Sequence, residues 1–240
     1  MFLTHIFEER QSKHAAFCFG RMNPPTIGHA KLLATTHKAA RGGDYFIFLS
    51  HTQDPKDNPL DYDPKVKFIQ RMFPKHAAHI SYGGLRTIMD IAGFLYDHGY
   101  TDVTFVAGSD RLEAFKKLLN SYNGVEGKNV YYKFNSINFV SSGDREDGAE
   151  GVEGVSASQA RAAAMANDMQ AFVQATGAGR LAPALFKAVR KGMGLTEDAA
   201  GVGVVATNKK MARDPRYSTS MTVDVHPNTP QKNLKAFKLA

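Results

Sequence analysis

Solid apolar runs alternate with amphipathic ones along the first 140 residues. "HAAFCFG" (14–20), "YFIFLS" (45–50) and "DVTFVAG" (102–108) are apolar almost throughout, as strands buried on both faces are. "HISYG" (79–83) and "NVYYKFNS" (129–136) read as further strands. Between them lie helical patterns. "GHAKLLATTHKAA" (28–40) stops at "RGGD" (41–44), and "PKVKFIQRMF" (64–73) starts from an Asp63 cap and Pro64. "LRTIMDIAGFLYDHG" (85–99) ends at Gly99, and "DRLEAFKKLLNS" (110–121) follows the fourth strand. "HTQDPKDNPLDYD" (51–63) is rich in Asp, Asn and Pro and reads as a loop.

This alternation predicts an α/β fold, a Rossmann-like, doubly wound, five-stranded parallel sheet with flanking helices. Such a fold binds ligands at the carboxyl edge of the strands, where strand order reverses. The unusual segments sit at those strand ends: "GRMNPPTIGH", "SHTQ" and "GSDR".

After residue 137 the texture changes. "SSGDREDGAEGVEG" (141–154) is acidic and glycine-rich, hence a loop. "SASQARAAAMANDMQAFVQAT" (156–176) and "PALFKAVRKGM" (183–193) read as helices. Residues 196–240 are polar, basic and weakly periodic, which predicts an extended C-terminal tail beside a domain spanning 1–195.

Bulk composition adds limits. With 240 residues, 43% hydrophobic and 22% charged, the chain is long enough to bury a core without staples. Its one cysteine, Cys18, lies in an apolar run and reads as a core residue. No apolar run reaches membrane-span length and residues 1–14 lack a signal-peptide pattern, so the expectation is a cytoplasmic protein with no membrane partner. The net charge of +7 suits phosphate-bearing partners. No aromatic-and-basic motif supports nucleic-acid binding, which rests on charge alone and is the weakest reading.

The chemistry-bearing residues cluster in two segments. Gly20 ends the first strand, Pro24 and Pro25 stiffen the loop, and Thr26 and His29 are spaced to share a face where a helix begins. Helix N-termini attract anions, and a hydroxyl and an imidazole there can donate to phosphate oxygens. In the second segment, "VSASQAR" (155–161), Ser158 reads as the N-cap and Arg161 lies one turn in. Two hydroxyls and a guanidinium make a clamp suited to a triphosphate. Taken alone, the first segment is also a plain turn into a helix, and the second a capped helix with a surface arginine.

Together they resemble the signatures of the nucleotidyltransferase superfamily related to class I aminoacyl-tRNA synthetases. Its first signature is Gly-(Arg/Ser/Thr)-(Phe/Met)-x-Pro-x-(His/Thr)-x-Gly-His, matched by Gly20, Arg21, Met22, Pro24, Thr26, Gly28 and His29. Its second, (Ile/Val)-Ser-(Ser/Ala/Thr)-(Ser/Thr)-x-x-Arg, is matched by Val155, Ser156, Ala157, Ser158 and Arg161. The resemblance covers about residues 14–176. "VAGSDRLEAF" (106–115) adds Gly108 and Asp110, similar to the Gly-x-Asp that nicotinamide-mononucleotide adenylyltransferases use near the ribose and base. A helix cap by Ser109 or Asp110 is the plainer alternative.

The resemblance implies transfer of a nucleoside monophosphate from ATP to a phosphate-bearing acceptor with pyrophosphate release, nicotinamide mononucleotide to NAD being the first choice of acceptor. Cytidylyltransferase and pantetheine-phosphate adenylyltransferase activities are the alternatives within the class. It implies that Thr26 and His29 act on the α- and β-phosphates, that Arg161 and Ser158 hold the β,γ-phosphates, and that Gly20, Arg21, Gly28, Gly108, Asp110 and Ser156 help bind the nucleotide. Mg2+ would ride on the phosphates; Asp54, Asp57, Asp61 and Asp63 read as a turn-rich loop, not a metal cage. Compact chains with this opening resemble bacteriophage members, which implies the host cytoplasm. That leaves an alternative of another class, a structural, virion-associated protein that keeps the fold and joins an assembly through its tail. The sequence leaves homo-oligomerisation open.

Overall fold

The computed structural model describes residues 12–80, 83–127, 130–143 and 156–195. The strands are β1 (His14–Gly20), β2 (Asp44–Leu49), β3 (Asp102–Ala107) and β4 (Ser136–Ser141). They form a 4-stranded sheet in the order β2-β1-β3-β4. Every pairing is parallel: Phe17 lies beside Phe46 on β2 and beside Phe105 on β3. The helices are α1 (His29–Ala39), α2 (Tyr62–Met72), α3 (Ile88–Asp97), α4 (Ser109–Tyr122), α5 (Ala157–Met165), α6 (Met169–Thr176) and α7 (Ala182–Gly192).

Strand periodicity divides the core between the two sheet faces. Ala15 and Phe17 point to one side, where Val103 and Phe105 join Ile91 and Leu95 of α3 and Phe115 and Leu119 of α4. Ala16 and Cys18 point to the other, against Leu33 of α1 and Val66 and Ile69 of α2. The sheet is therefore doubly wound. Cys18 is fully buried and burial pushes its thiol pKa up to about 12, so it stays a protonated packing group. A third apolar cluster ties α5, α6 and α7 together through Ala160, Phe172, Leu185 and Val189, and takes in Leu60 of the long loop.

Several expectations shift. Of the strand expected at 79–83, one parallel bridge between Ile47 and Ile80 is seen, and Ser81 and Tyr82 lie outside the described residues. Residues 74–79 form a short 3-10 helix instead. The last strand falls on Ser136–Ser141, not on 129–136. The alternation in that earlier segment is real, but it serves another purpose. Tyr132 and Phe134 are buried among α3 and α4; the Tyr132 hydroxyl donates to the Leu119 carbonyl and the Phe134 N–H to Asn123 Oδ1. The helix expected over 156–176 is two, because Asn167 takes a left-handed φ of 56° and the Asp168 carboxylate caps the second helix by accepting from Ala171 N–H. The α2 N-cap is Asp61, two residues before the expected Asp63. The loop at 144–154 and the tail at 196–240 lie outside the described residues.

Candidate functional site

The chain steps from β1 outward to β2, then returns to place β3 on the other side of β1. Strand order therefore reverses between β1 and β3, the position at which open α/β sheets bind ligands in a crevice outside the carboxyl ends of the strands. Gly20 ends β1 on one side of it, and Gly108 follows β3 on the other.

The loop leaving Gly20 is held on both sides. Asn23 is buried and pairs twice with Leu60: its Nδ2 donates to the Leu60 carbonyl and its Oδ1 accepts from the Leu60 N–H, both at 2.9 Å. Met22 has a φ of 42°, and the Asn23–Pro24 peptide is cis. Beyond the prolines, the Ile27 N–H donates to the Thr176 carbonyl at the end of α6, at 2.8 Å. Gly177 closes that contact. Its φ is +60°, and a Cβ there would come within 2.5 Å of the Ile27 side chain. Gly177→Ala is expected to cost about 2 kcal/mol from left-handed strain and overpacking, read as a lower midpoint in urea unfolding.

Thr26 is buried, and it supports His29 instead of facing outward. Its backbone N–H donates to His29 Nδ1 at 3.0 Å, and its hydroxyl lies 3.0 Å from the same nitrogen. Nδ1 is thus an acceptor and the ring proton belongs on Nε2, making that nitrogen the donor. Gly28 occupies the α1 N-cap without a side-chain cap bond. The first amides, of His29 and Ala30, turn back to the Thr26 and Ile27 carbonyls. What α1 offers an anion here is the His29 ring and the positive end of the helix dipole.

Arg161 brings the second segment to the first. Its Nη1 donates to the Asn23 carbonyl at 3.0 Å, and its Nη2 reaches Asp57 Oδ1 at 3.3 Å and Ser158 Oγ at 3.2 Å. The N-cap of α5 is Ser156, not Ser158. The Ser156 hydroxyl accepts from the Gln159 N–H, and the Gln159 side chain reaches back to the Ser156 N–H. That reciprocal pair outcompetes Ser158 because Gln159 sits three residues after Ser156, the capping-box spacing. Ser158 is left inside the first turn, oriented toward Arg161. Arg21 is half-buried and close enough to lower the Arg161 pKa, although burial is the larger cause.

Gly108 and Asp110 lie on the same sheet edge, one strand over. Gly108 is the α4 N-cap, and a Cβ built there would come within 2.7 Å of Asp110 Oδ1. Asp110 is paired with Arg111 Nε at 3.5 Å.

Sequence reasoning missed the buried support under this edge. Lys65 is fully buried in the first turn of α2 and donates to the Ser50 carbonyl at 2.5 Å. The Ser50 N–H in turn donates to the Gly20 carbonyl at 2.9 Å. Burial lowers the Lys65 pKa to about 8. His51 stacks on Tyr62 at 3.7 Å, and burial, with Arg86 and Lys65 nearby, lowers its pKa to about 4. A folded pKa below the unfolded value means that stability is present when His51 is neutral and is lost as pH falls from 6.5 toward 4. The urea midpoint should therefore drop between about pH 7 and about pH 4.5, and His51→Gln should remove part of that drop. A lysine in the first turn of a predicted helix carried no signal of burial.

Asp54 organises the long loop as a turn, accepting from the Asp57 N–H at 2.6 Å and from Asn58 Nδ2 at 2.6 Å. Among the described residues no cluster of three or more His, Cys, Asp or Glu side chains could hold a metal ion. No described helix is long and apolar enough to cross a membrane. No protein-family model matches the chain, and no curated protein matches it.

Proposed function

We propose that the chain is a nucleotidyltransferase that joins a nucleoside monophosphate from ATP to a phosphorylated small-molecule acceptor. One observation carries this reading. Two segments more than a hundred residues apart in sequence are bonded to each other at the reversal of strand order, through the Arg161 guanidinium and the Asn23 carbonyl. On this reading an imidazole donor, a guanidinium fork and a helix N-terminus would face one ligand, groups suited to binding a polyphosphate.

The chemistry needs orientation and charge neutralisation more than a base, because an acceptor phosphate is ionised at neutral pH. An acceptor oxygen forms a bond to the α-phosphorus while the bond from that phosphorus to the bridging oxygen of the β-phosphate breaks. The electron pair leaves with pyrophosphate. His29, fixed by Thr26, donates from Nε2 to the phosphate oxygens where charge grows. Arg161 holds the leaving β,γ-phosphates, with Ser158 beside it. A Cβ at Gly20 would meet only the Met22 side chain, at 3.5 Å, so the fold itself tolerates more bulk there; a phosphate lying on the backbone explains the glycine. Mg2+, which prefers waters and phosphate oxygens, would supply charge neutralisation while held by the triphosphate.

The test is pyrophosphate release by the purified protein with Mg2+, ATP or CTP, and a panel of acceptors. Release with ATP and nicotinamide mononucleotide alone identifies NAD as the product. Release with CTP and a phosphorylated alcohol, or with ATP and phosphopantetheine, assigns the other branches. No release with any pair, while nucleotide still binds, favours a structural protein that has kept the fold.

A further inference from the structure

Arg161 already has an anion. Its guanidinium is mostly buried, with 16% of its side-chain surface exposed, and it is ion-paired with Asp57, whose side chain is 43% exposed. The Asp57 carboxylate is the more exposed partner of the pair, and it occupies an Arg161 N–H group that a phosphate would also use. Its position is built, because the Asp57 N–H is tied at 2.6 Å to Asp54 Oδ1 within the Asp54–Asn58 turn. The inner contacts of Arg161, to the Asn23 carbonyl and Ser158 Oγ, come from the two motif segments themselves.

We propose that Asp57 is a positioning residue for Arg161, a carboxylate that holds the guanidinium at the crevice in the nucleotide-free protein and is exchanged for the β,γ-phosphates when a triphosphate binds. This rests on the nucleotidyltransferase reading and adds a control of ligand entry to it. A mostly buried guanidinium without an anion is costly. Holding a carboxylate in reserve keeps the fork oriented against Asn23 and Ser158 until the phosphates replace it. The ion pair is exposed on one side, so it is weak enough to exchange. A triphosphate brings enough charge to displace the carboxylate. A monophosphate has no β,γ-phosphates to do so, which makes Asp57 a filter for the length of the phosphate chain.

The test measures Mg-ATP and AMP binding to the full chain by calorimetry, in wild type, Asp57→Asn, Arg161→Ala and the double variant. Asparagine keeps the shape and removes the competing charge. Mg-ATP should bind Asp57→Asn about threefold to tenfold tighter, with AMP affinity changed by less than about twofold. In turnover assays KM for ATP should fall while kcat does not rise. The gain should vanish in the Arg161→Ala background. A merely structural role for Asp57 would weaken ATP binding or leave it unchanged, and either result in a folded Asp57→Asn protein overturns the proposal. A gain that persists without Arg161 overturns it too, by showing general repulsion. Should wild type bind no triphosphate, the nucleotidyltransferase reading falls first and Asp57 with it. Thermal melts establish that Asp57→Asn is folded, and Asp57→Ser, lacking the charge on a shorter side chain, repeats the measurement if it is not.

Discussion

His29→Ala is expected to lower turnover by about 100-fold while leaving Mg-ATP affinity within a few-fold of wild type. The reason is the geometry around Nδ1. The Thr26 N–H and hydroxyl both lie 3.0 Å from that nitrogen, so the ring is locked before any ligand arrives. A donor fixed in advance costs no reorganisation when charge builds on the phosphate oxygens, which is where preorganised electrostatics have most effect. The loss should therefore fall on kcat. His29→Asn keeps one donor on a shorter side chain and should recover part of it. Single-turnover measurement of pyrophosphate release separates the chemical step from binding. Wild-type turnover in His29→Ala would remove His29 from the site.

Arg161→Ala should act on the other quantity, weakening Mg-ATP binding by roughly 100-fold, the scale of losing a charge-assisted bidentate contact. Arg161 is also a structural bond, because Nη1 donates to the Asn23 carbonyl. Its removal should loosen the first loop, so the urea midpoint is measured beside affinity. Arg161→Lys keeps the charge and loses the fork. A lysine can reach one acceptor where the arginine engages Asn23, Asp57 and Ser158 together, so an intermediate loss is expected. Unchanged ATP affinity in Arg161→Ala would show that the α5 N-terminus takes no part in binding.

These two predictions rest on residues that could be picked from the chain by type and spacing. Gly20, Arg21, Thr26, Gly28 and His29 fall together within ten positions after a strand, and Ser156, Ser158 and Arg161 fall within six at a helix start. Local spacing of that kind survives in sequence because neighbours along the chain are neighbours in space. Asn23 stood within the first motif, yet its pairing with Leu60 and its carbonyl bond to Arg161 join segments distant in sequence. Asp57 looked like one of several loop aspartates, and nothing near it along the chain distinguishes it from Asp54 or Asp61. Lys65 falls within the helix predicted over 64–73, where nothing marked it as buried, and it is fully buried with its ammonium on the Ser50 carbonyl.

By itself, the sequence determined the class of the fold, the alternation of strands and helices, and which strand ends carry unusual chemistry. Those follow from hydrophobic periodicity and from glycine, proline and capping residues, whose effects reach only a few positions. Tertiary structure decided the rest. It assigned the last strand to Ser136–Ser141, because Tyr132 and Phe134 pack against helices and leave the edge of β3 to the next segment. It chose Ser156 over Ser158 as the cap and turned the Ser158 hydroxyl to Arg161. It also brought the Asp57 carboxylate onto the Arg161 guanidinium from 104 positions away. Contacts of that separation depend on how the loop after β2 and the helices after β4 meet, and no local pattern of hydrophobic and polar residues encodes that meeting.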